Sequence, residues 1–161
     1  MNGGGRLLIG VGNPWRRDDG VGPLVAGRLA AMGLPEVTVT EASGEGAALI
    51  EAMAAAEQVW LVDAVASGAP AGTVHRIDAG AAAVPRGFFN YSTHAFSVAE
   101  AIELARALGQ LPAACVLYGI EGEDFSSGHG LTAPVAAAAE TVVAELSGVL
   151  QEESEACTKP A

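Results

Sequence analysis

The chain has 161 residues, half of them apolar and only 5% aromatic, with a formal charge of −11. That length fits one domain whose core is built mainly from Val, Leu, Ile and Ala. The excess negative charge opposes nucleic acid and anionic membrane surfaces as partners, because like charge repels phosphate.

The start, Met1-Asn2-Gly3-Gly4-Gly5-Arg6, lacks the charged beginning and apolar stretch of a signal peptide. No apolar run approaches the roughly 20 residues needed to span a bilayer, so membrane insertion is not expected. Cys115 stands in an apolar run and Cys157 in a polar stretch. They suggest neither a disulfide framework nor a metal cluster, and a cytoplasmic location is the simplest setting.

In chain order, Arg6–Gly12 reads as a strand that breaks at the turn Gly10-Val11-Gly12-Asn13-Pro14. Val21, Leu24, Val25, Leu29 and Met32 then recur at helical spacing, and Gly33 and Pro35 supply the stop. Val37–Glu41 reads as a second strand, Ala47–Ala56 as a short Ala-rich helix, and Gln58–Ala64 as a third strand. Ala66–Gly72 reads as a loop, so the fourth strand, Gly72–Ile77, is expected to pair with the third as an antiparallel unit. The polar turn Asn90-Tyr91-Ser92-Thr93 leads into a helix over Ala95–Leu108. A fifth strand, Ala113–Ile120, and a closing helix, Leu131–Leu150, complete the pattern. Three of these strands are nearly continuous apolar runs, as strands covered on both faces should be. The alternation predicts an α/β domain over residues 6–150, a three-layer α/β/α sandwich around a five-stranded, mostly parallel twisted sheet. Residues 1–5 and 151–161 are expected to be flexible tails.

Asp18 and Asp19 open the first helix. One Asp is well explained as a cap at the positive end of the helix. The second is then free to face the space outside the strand ends, where ligands bind in open α/β sheets. Asp63 also follows a hydrophobic strand, so the two carboxylates converge on one crevice if their strands are neighbours. His94 stands at a helix entry, whereas His75 reads as a surface strand residue and His129 as part of a flexible turn. Two carboxylates and one imidazole form a mixed oxygen and nitrogen set suited to a first-row divalent metal. Three ligands leave positions for something else to fill. Asp18 is expected to serve the local turn or cap and Asp19 to face the cleft.

Other chemistries are disfavoured. There is no Gly-x-Ser-x-Gly nucleophile elbow and no His-Glu-x-x-His helix. Cys115 has no electropositive neighbours in sequence to activate a thiolate. Trp15 stands where a dinucleotide fingerprint needs its third glycine, and Pro14 and Trp15 crowd the approach of a pyrophosphate.

The chain resembles the hydrogenase maturation endopeptidases, which trim the C-terminus of the nickel-iron hydrogenase large subunit. The resemblance runs from Leu7 to about Leu150. It rests on Gly10-Val11-Gly12-Asn13-Pro14 with Asp18-Asp19-Gly20-Val21-Gly22, on Leu61-Val62-Asp63-Ala64-Val65 with Gly72-Thr73-Val74, on Ser92-Thr93-His94, and on Gly119-Ile120-Glu121 with Gly130-Leu131-Thr132. It implies a phosphorylase/hydrolase-like fold and a metal-contacting, catalytic set of Asp19, Asp63 and His94. It also implies that nickel is supplied by the substrate precursor rather than held by the free protease. The partner would be the large-subunit precursor, cut shortly after its last Cys-x-x-Cys motif, and the protease itself a monomer. Where some relatives have Asp-Gly-Gly-Thr, this chain has Glu41-Ala42-Ser43-Gly44-Glu45-Gly46. That segment is implicated in substrate recognition, which points to Ser43, Gly44, Glu45 and Gly46. Its wording and that around His94 are similar to the subgroup serving soluble, cytoplasmic, bidirectional hydrogenases. A metal-activated water, a metal-polarised carbonyl and a carboxylate base are all compatible with this set. The alternative of a different class is a non-catalytic nickel-binding maturation chaperone on the same fold.

Overall fold

A computed structural model describes residues 5–43, 45–85 and 97–158, with side chains through Glu152. The strands β1 (Gly5–Val11), β2 (Val37–Ala42), β3 (Ala56–Val65), β4 (Val74–Asp78) and β5 (Ala114–Glu121) form one sheet ordered β2-β1-β3-β5-β4. All neighbours are parallel except β4, which runs antiparallel to β5.

Alternation along β3 shows why its sequence is apolar throughout. Val59, Leu61 and Val65 enter one core with α2 (Gly46–Ala54) and α3 (Val98–Ala107). Trp60, Val62 and Ala64 enter a second core with α1 (Val21–Ala31) and α4 (Ala133–Thr158). Both faces are covered, giving the expected three-layer α/β/α sandwich. Leu61 and Leu117 are fully buried, and truncating either to Ala would cost about 2–5 kcal/mol.

The antiparallel strand lies where the sequence puts it, but its neighbour is different. β4 pairs with β5, His75 opposite Gly119, rather than with β3. Both edges of β3 are taken, by β1 and by β5. Its long buried run suits the sheet centre, whereas the half-exposed pattern of β4 suits an edge.

The closing helix also departs from expectation at its end. The apolar periodicity stops at Leu150, yet α4 continues to Thr158. No Gly or Pro interrupts Gln151–Cys157, so nothing local ends the helix, and the expected tail from residue 151 is helical as far as Thr158. Among the described residues, Ala133–Glu152 is one helix long and apolar enough to cross a membrane. Its residues Val135, Val142, Leu146 and Leu150 are packed in the core instead.

A glycine pair fixes the seat of α1. A Cβ on Gly10 would collide with the Gly22 carbonyl and with Ala26, and one on Gly22 would collide with the Val11 carbonyl. The helix therefore lies unusually close to β1, which sets where the residues just before it arrive.

Candidate active site

The strand order reverses at β1: the chain moves outward to β2 and then returns to β3 on the other side of β1. The carboxyl ends of β1 and β3 flank the crevice that such a reversal creates. Asp19 and Asp63 stand there.

Asp19 lies in a 3₁₀ turn, Arg17–Gly20, and is 8% exposed. Its Oδ2 accepts the backbone N–H of Asn13 at 3.0 Å, while Asn13 Oδ1 accepts the N–H of Trp15 at 3.0 Å. Asn13 therefore folds its own turn and presents its amide to the carboxylate. Gly12 has φ 144°, and a Cβ there would strike the Asp19 carbonyl oxygen. The Gly-x-Gly-Asn spacing is thus what lets the turn close over the strand end.

Asp63 lies near the carboxyl end of β3, opposite Gly119 of β5, and is 5% exposed. Its Oδ1 accepts the next backbone N–H, that of Ala64, at 2.8 Å. Burial pushes the carboxyl well above the usual carboxylate range. The negative charge of Asp19 pushes it the same way, and the Ala64 N–H opposes both. Asp19 and Asp63 thus follow neighbouring parallel strands at their carboxyl ends, and each is buried.

The third member of the set, His94, lies outside the described residues, as do Ser92, Thr93 and Gly44. Among the described residues no three His, Cys, Asp or Glu side chains group to hold a metal ion. Ser43 and Glu45 are exposed beyond the carboxyl end of β2, and Gly46 is buried as the first residue of α2. A buried carboxyl that favours its proton, beside a second carboxylate, can act as acid or base, and after losing that proton can offer hard oxygen ligands.

Asp18, expected to serve the local turn or cap, instead bonds distant residues through its carboxylate. No side chain caps the 3₁₀ turn or α1. The Asp18 carboxylate is fully buried and reaches the loop after β5. Its Oδ2 accepts the N–H groups of Glu123 at 2.9 Å and Asp124 at 3.0 Å; its Oδ1 accepts that of Thr132 at 2.8 Å. The Thr132 hydroxyl adds contacts of 3.1 and 3.0 Å to the two oxygens. The residue is a clamp between two loops far apart in sequence, which local pattern does not reveal.

A second clamp, around Glu121, is equally invisible to local pattern. Glu121 is 2% exposed and accepts from Ser67 N–H at 2.8 Å and from the Ser67 hydroxyl at 2.5 Å. His75 Nε2 lies 3.1 Å from the same carboxylate, so His75 is a half-buried partner of Glu121 rather than a surface residue. Glu121 and Thr132 belong to the motifs that carry the resemblance, and both hold loops around the crevice. Cys115 is buried, and its thiol is pushed up to about 11, in accord with the absence of an activated thiolate.

Residues 23–149 match the family described as hydrogenase maturation protease. The matched span begins just past Asp19. The hydrogenase expression/formation protein HoxM of Cupriavidus necator is 29% identical over 148 residues, covering 90% of this chain and 73% of HoxM. The solution structure of the Escherichia coli endopeptidase HycI superimposes with a TM-score of 0.68 at 26% identity, covering 89% of this chain and 90% of HycI. The hydrogenase maturating endopeptidase HybD of Escherichia coli gives a TM-score of 0.71 at 23% identity, covering 92% and 93%, and shares the fold. The chain belongs to the hydrogenase maturation protease family and is a hydrolase of the endopeptidase type.

Proposed function

We propose that this protein removes the C-terminal extension of a nickel-iron hydrogenase large-subunit precursor after nickel insertion, recognising the nickel already bound there. The observation that carries the reading is the buried pair of Asp19 and Asp63 at the strand-order reversal. Two carboxylates in a low-dielectric crevice repel one another, and an incoming divalent cation relieves that repulsion. Asp19, Asp63 and His94 would then supply oxygen and nitrogen ligands to the substrate's nickel. Asp63 gives up its proton as the cation arrives. Ser43, Gly44, Glu45 and Gly46 would read the precursor from the end of β2. The protease would act as a cytoplasmic monomer without a resident metal.

The test is incubation with nickel-loaded and nickel-free precursor, followed by intact mass measurement. Loss of a short C-terminal peptide from the loaded form alone is expected. Cleavage of both forms alike would remove nickel from recognition. Tight nickel binding by the isolated protein, without cleavage of either form, would favour the chaperone reading.

A further inference from the structure

Next to Asp19 the surface opens into a groove of about 330 Å³ walled by Pro14, Arg17, Leu24, Glu41, His129 and Leu131. Gly20, the residue after Asp19 in the 3₁₀ turn, forms part of the same wall. Its lining is mostly apolar. Its volume is at the lower end of pockets that hold small molecules, enough for one bulky side chain and adjoining backbone.

Several features on this rim are those of a contact surface. Trp15 is 66% exposed, and its ring centroid lies 3.9 Å from that of His129. Leu24 is 40% exposed. Exposed aromatic anchors beside an apolar recess are the usual energetic centres of protein interfaces. The rim is also held in place. Gly128 donates its N–H to the Trp15 carbonyl at 2.8 Å, and Arg17 donates its N–H to the Gly128 carbonyl at 3.0 Å. Between them Arg17 takes φ 47°, a costly conformation for a residue with a side chain. The ring pair therefore stands on a fixed loop.

Charge narrows the occupant further. The chain carries 8 Lys and Arg against 19 Asp and Glu, yet Arg17 lines this groove beside the acidic crevice. Its Nε lies 3.6 Å from Asp124, with both side chains well exposed. Such a pair is weak and exchanges readily for another carboxylate.

We propose that the groove seats the substrate polypeptide immediately beside the scissile bond. One bulky apolar side chain packs on Leu24 and Leu131 under the Trp15–His129 rings, and an acidic group meets Arg17. This deepens the processing role proposed above and rests on it.

The probe is a synthetic peptide spanning the precursor's cleavage region, without nickel, titrated against the full chain and followed by tryptophan emission. Trp60 is 5% exposed, so the change should come from Trp15 and vanish in Trp15→Phe. Affinity should fall at least about tenfold in Leu24→Arg, and by a similar factor when the peptide's bulky apolar residues are replaced by Ala. Leu24→Ala serves if the arginine variant fails to fold. Leu108→Arg, at an exposed site ending α3 in the other helical layer, should match wild type. With nickel-loaded precursor, Leu24→Arg should raise KM by a similar factor and leave kcat within about threefold. Absence of saturable binding, or equal affinity in wild type and Leu24→Arg, overturns the groove assignment. Peptide binding at the groove without cleavage of loaded precursor would instead overturn the processing role and leave the groove standing.

Discussion

Replacing Asp18 by Asn tests whether this carboxylate is a clamp or a cap. A cap would tolerate the change at a cost of at most about 1 kcal/mol, since Asn caps nearly as well. The observed surroundings predict more. Every described partner of the carboxylate is a donor: three backbone N–H groups and the Thr132 hydroxyl. Asn supplies one acceptor oxygen and one amide that only donates. Setting the amide in place of Oδ2 would oppose the N–H groups of Glu123 and Asp124, so the better orientation puts it in place of Oδ1. The Thr132 hydroxyl can then turn to accept, but the Thr132 N–H, 2.8 Å from Oδ1, loses its acceptor in a fully buried corner. A charged hydrogen bond lost with its donor stranded costs about 2–4 kcal/mol, and the bonds that remain are weaker without the charge. The expected loss is about 3 kcal/mol, a fall in Tm of roughly 6–12 °C for a domain of this size. Chemical denaturation with a common m-value, checked by thermal melting, measures it. A loss below about 1 kcal/mol would refute the clamp.

Asp63→Asn should raise stability at neutral pH. Its native carboxyl binds its proton more tightly than the unfolded chain does, so wild type loses stability as pH rises from the unfolded carboxylate range through the native value. The Tm advantage of the variant should therefore grow between about pH 4 and pH 8; a pH-independent difference would contradict the buried acid. Asp19→Asn should keep the fold, because its amide oxygen can still accept the Asn13 N–H, while processing of nickel-loaded precursor falls on the order of 10²-fold or more. Wild-type processing in that variant would remove Asp19 from the site. His94→Ala should abolish processing, whereas His75→Ala should cost about 0.5–1.5 kcal/mol through Glu121 and leave most processing intact. The two variants compared by intact mass and melting decide this, and retained cleavage in His94→Ala would exclude the imidazole.

The layers are legible in the residues alone, as are the strand ends at which Asp19 and Asp63 stand. Continuous apolar runs such as Val59–Val62 announce strands covered on both faces, because residues alternate sides and both sides are core. The Gly10-Val11-Gly12-Asn13 spacing announces a turn whose close contacts admit no side chain, and so places Asp19 at the end of β1. Whatever depends on which strands become neighbours is set by the packed sheet. β4 is antiparallel in either arrangement, but β1 and β5 occupy both edges of β3 and leave it only the outer edge of β5. Asp18 and Asp19 are adjacent and chemically identical in the chain, yet one is consumed by donors more than a hundred residues away and the other accepts from Asn13, six residues before it. His75 shows the same limit, since a half-exposed strand position gives no sign of the buried Glu121 that arrives across the β4–β5 pair. Periodicity records which face of an element is buried; it carries no information about which distant donor or acid will meet a given polar side chain there.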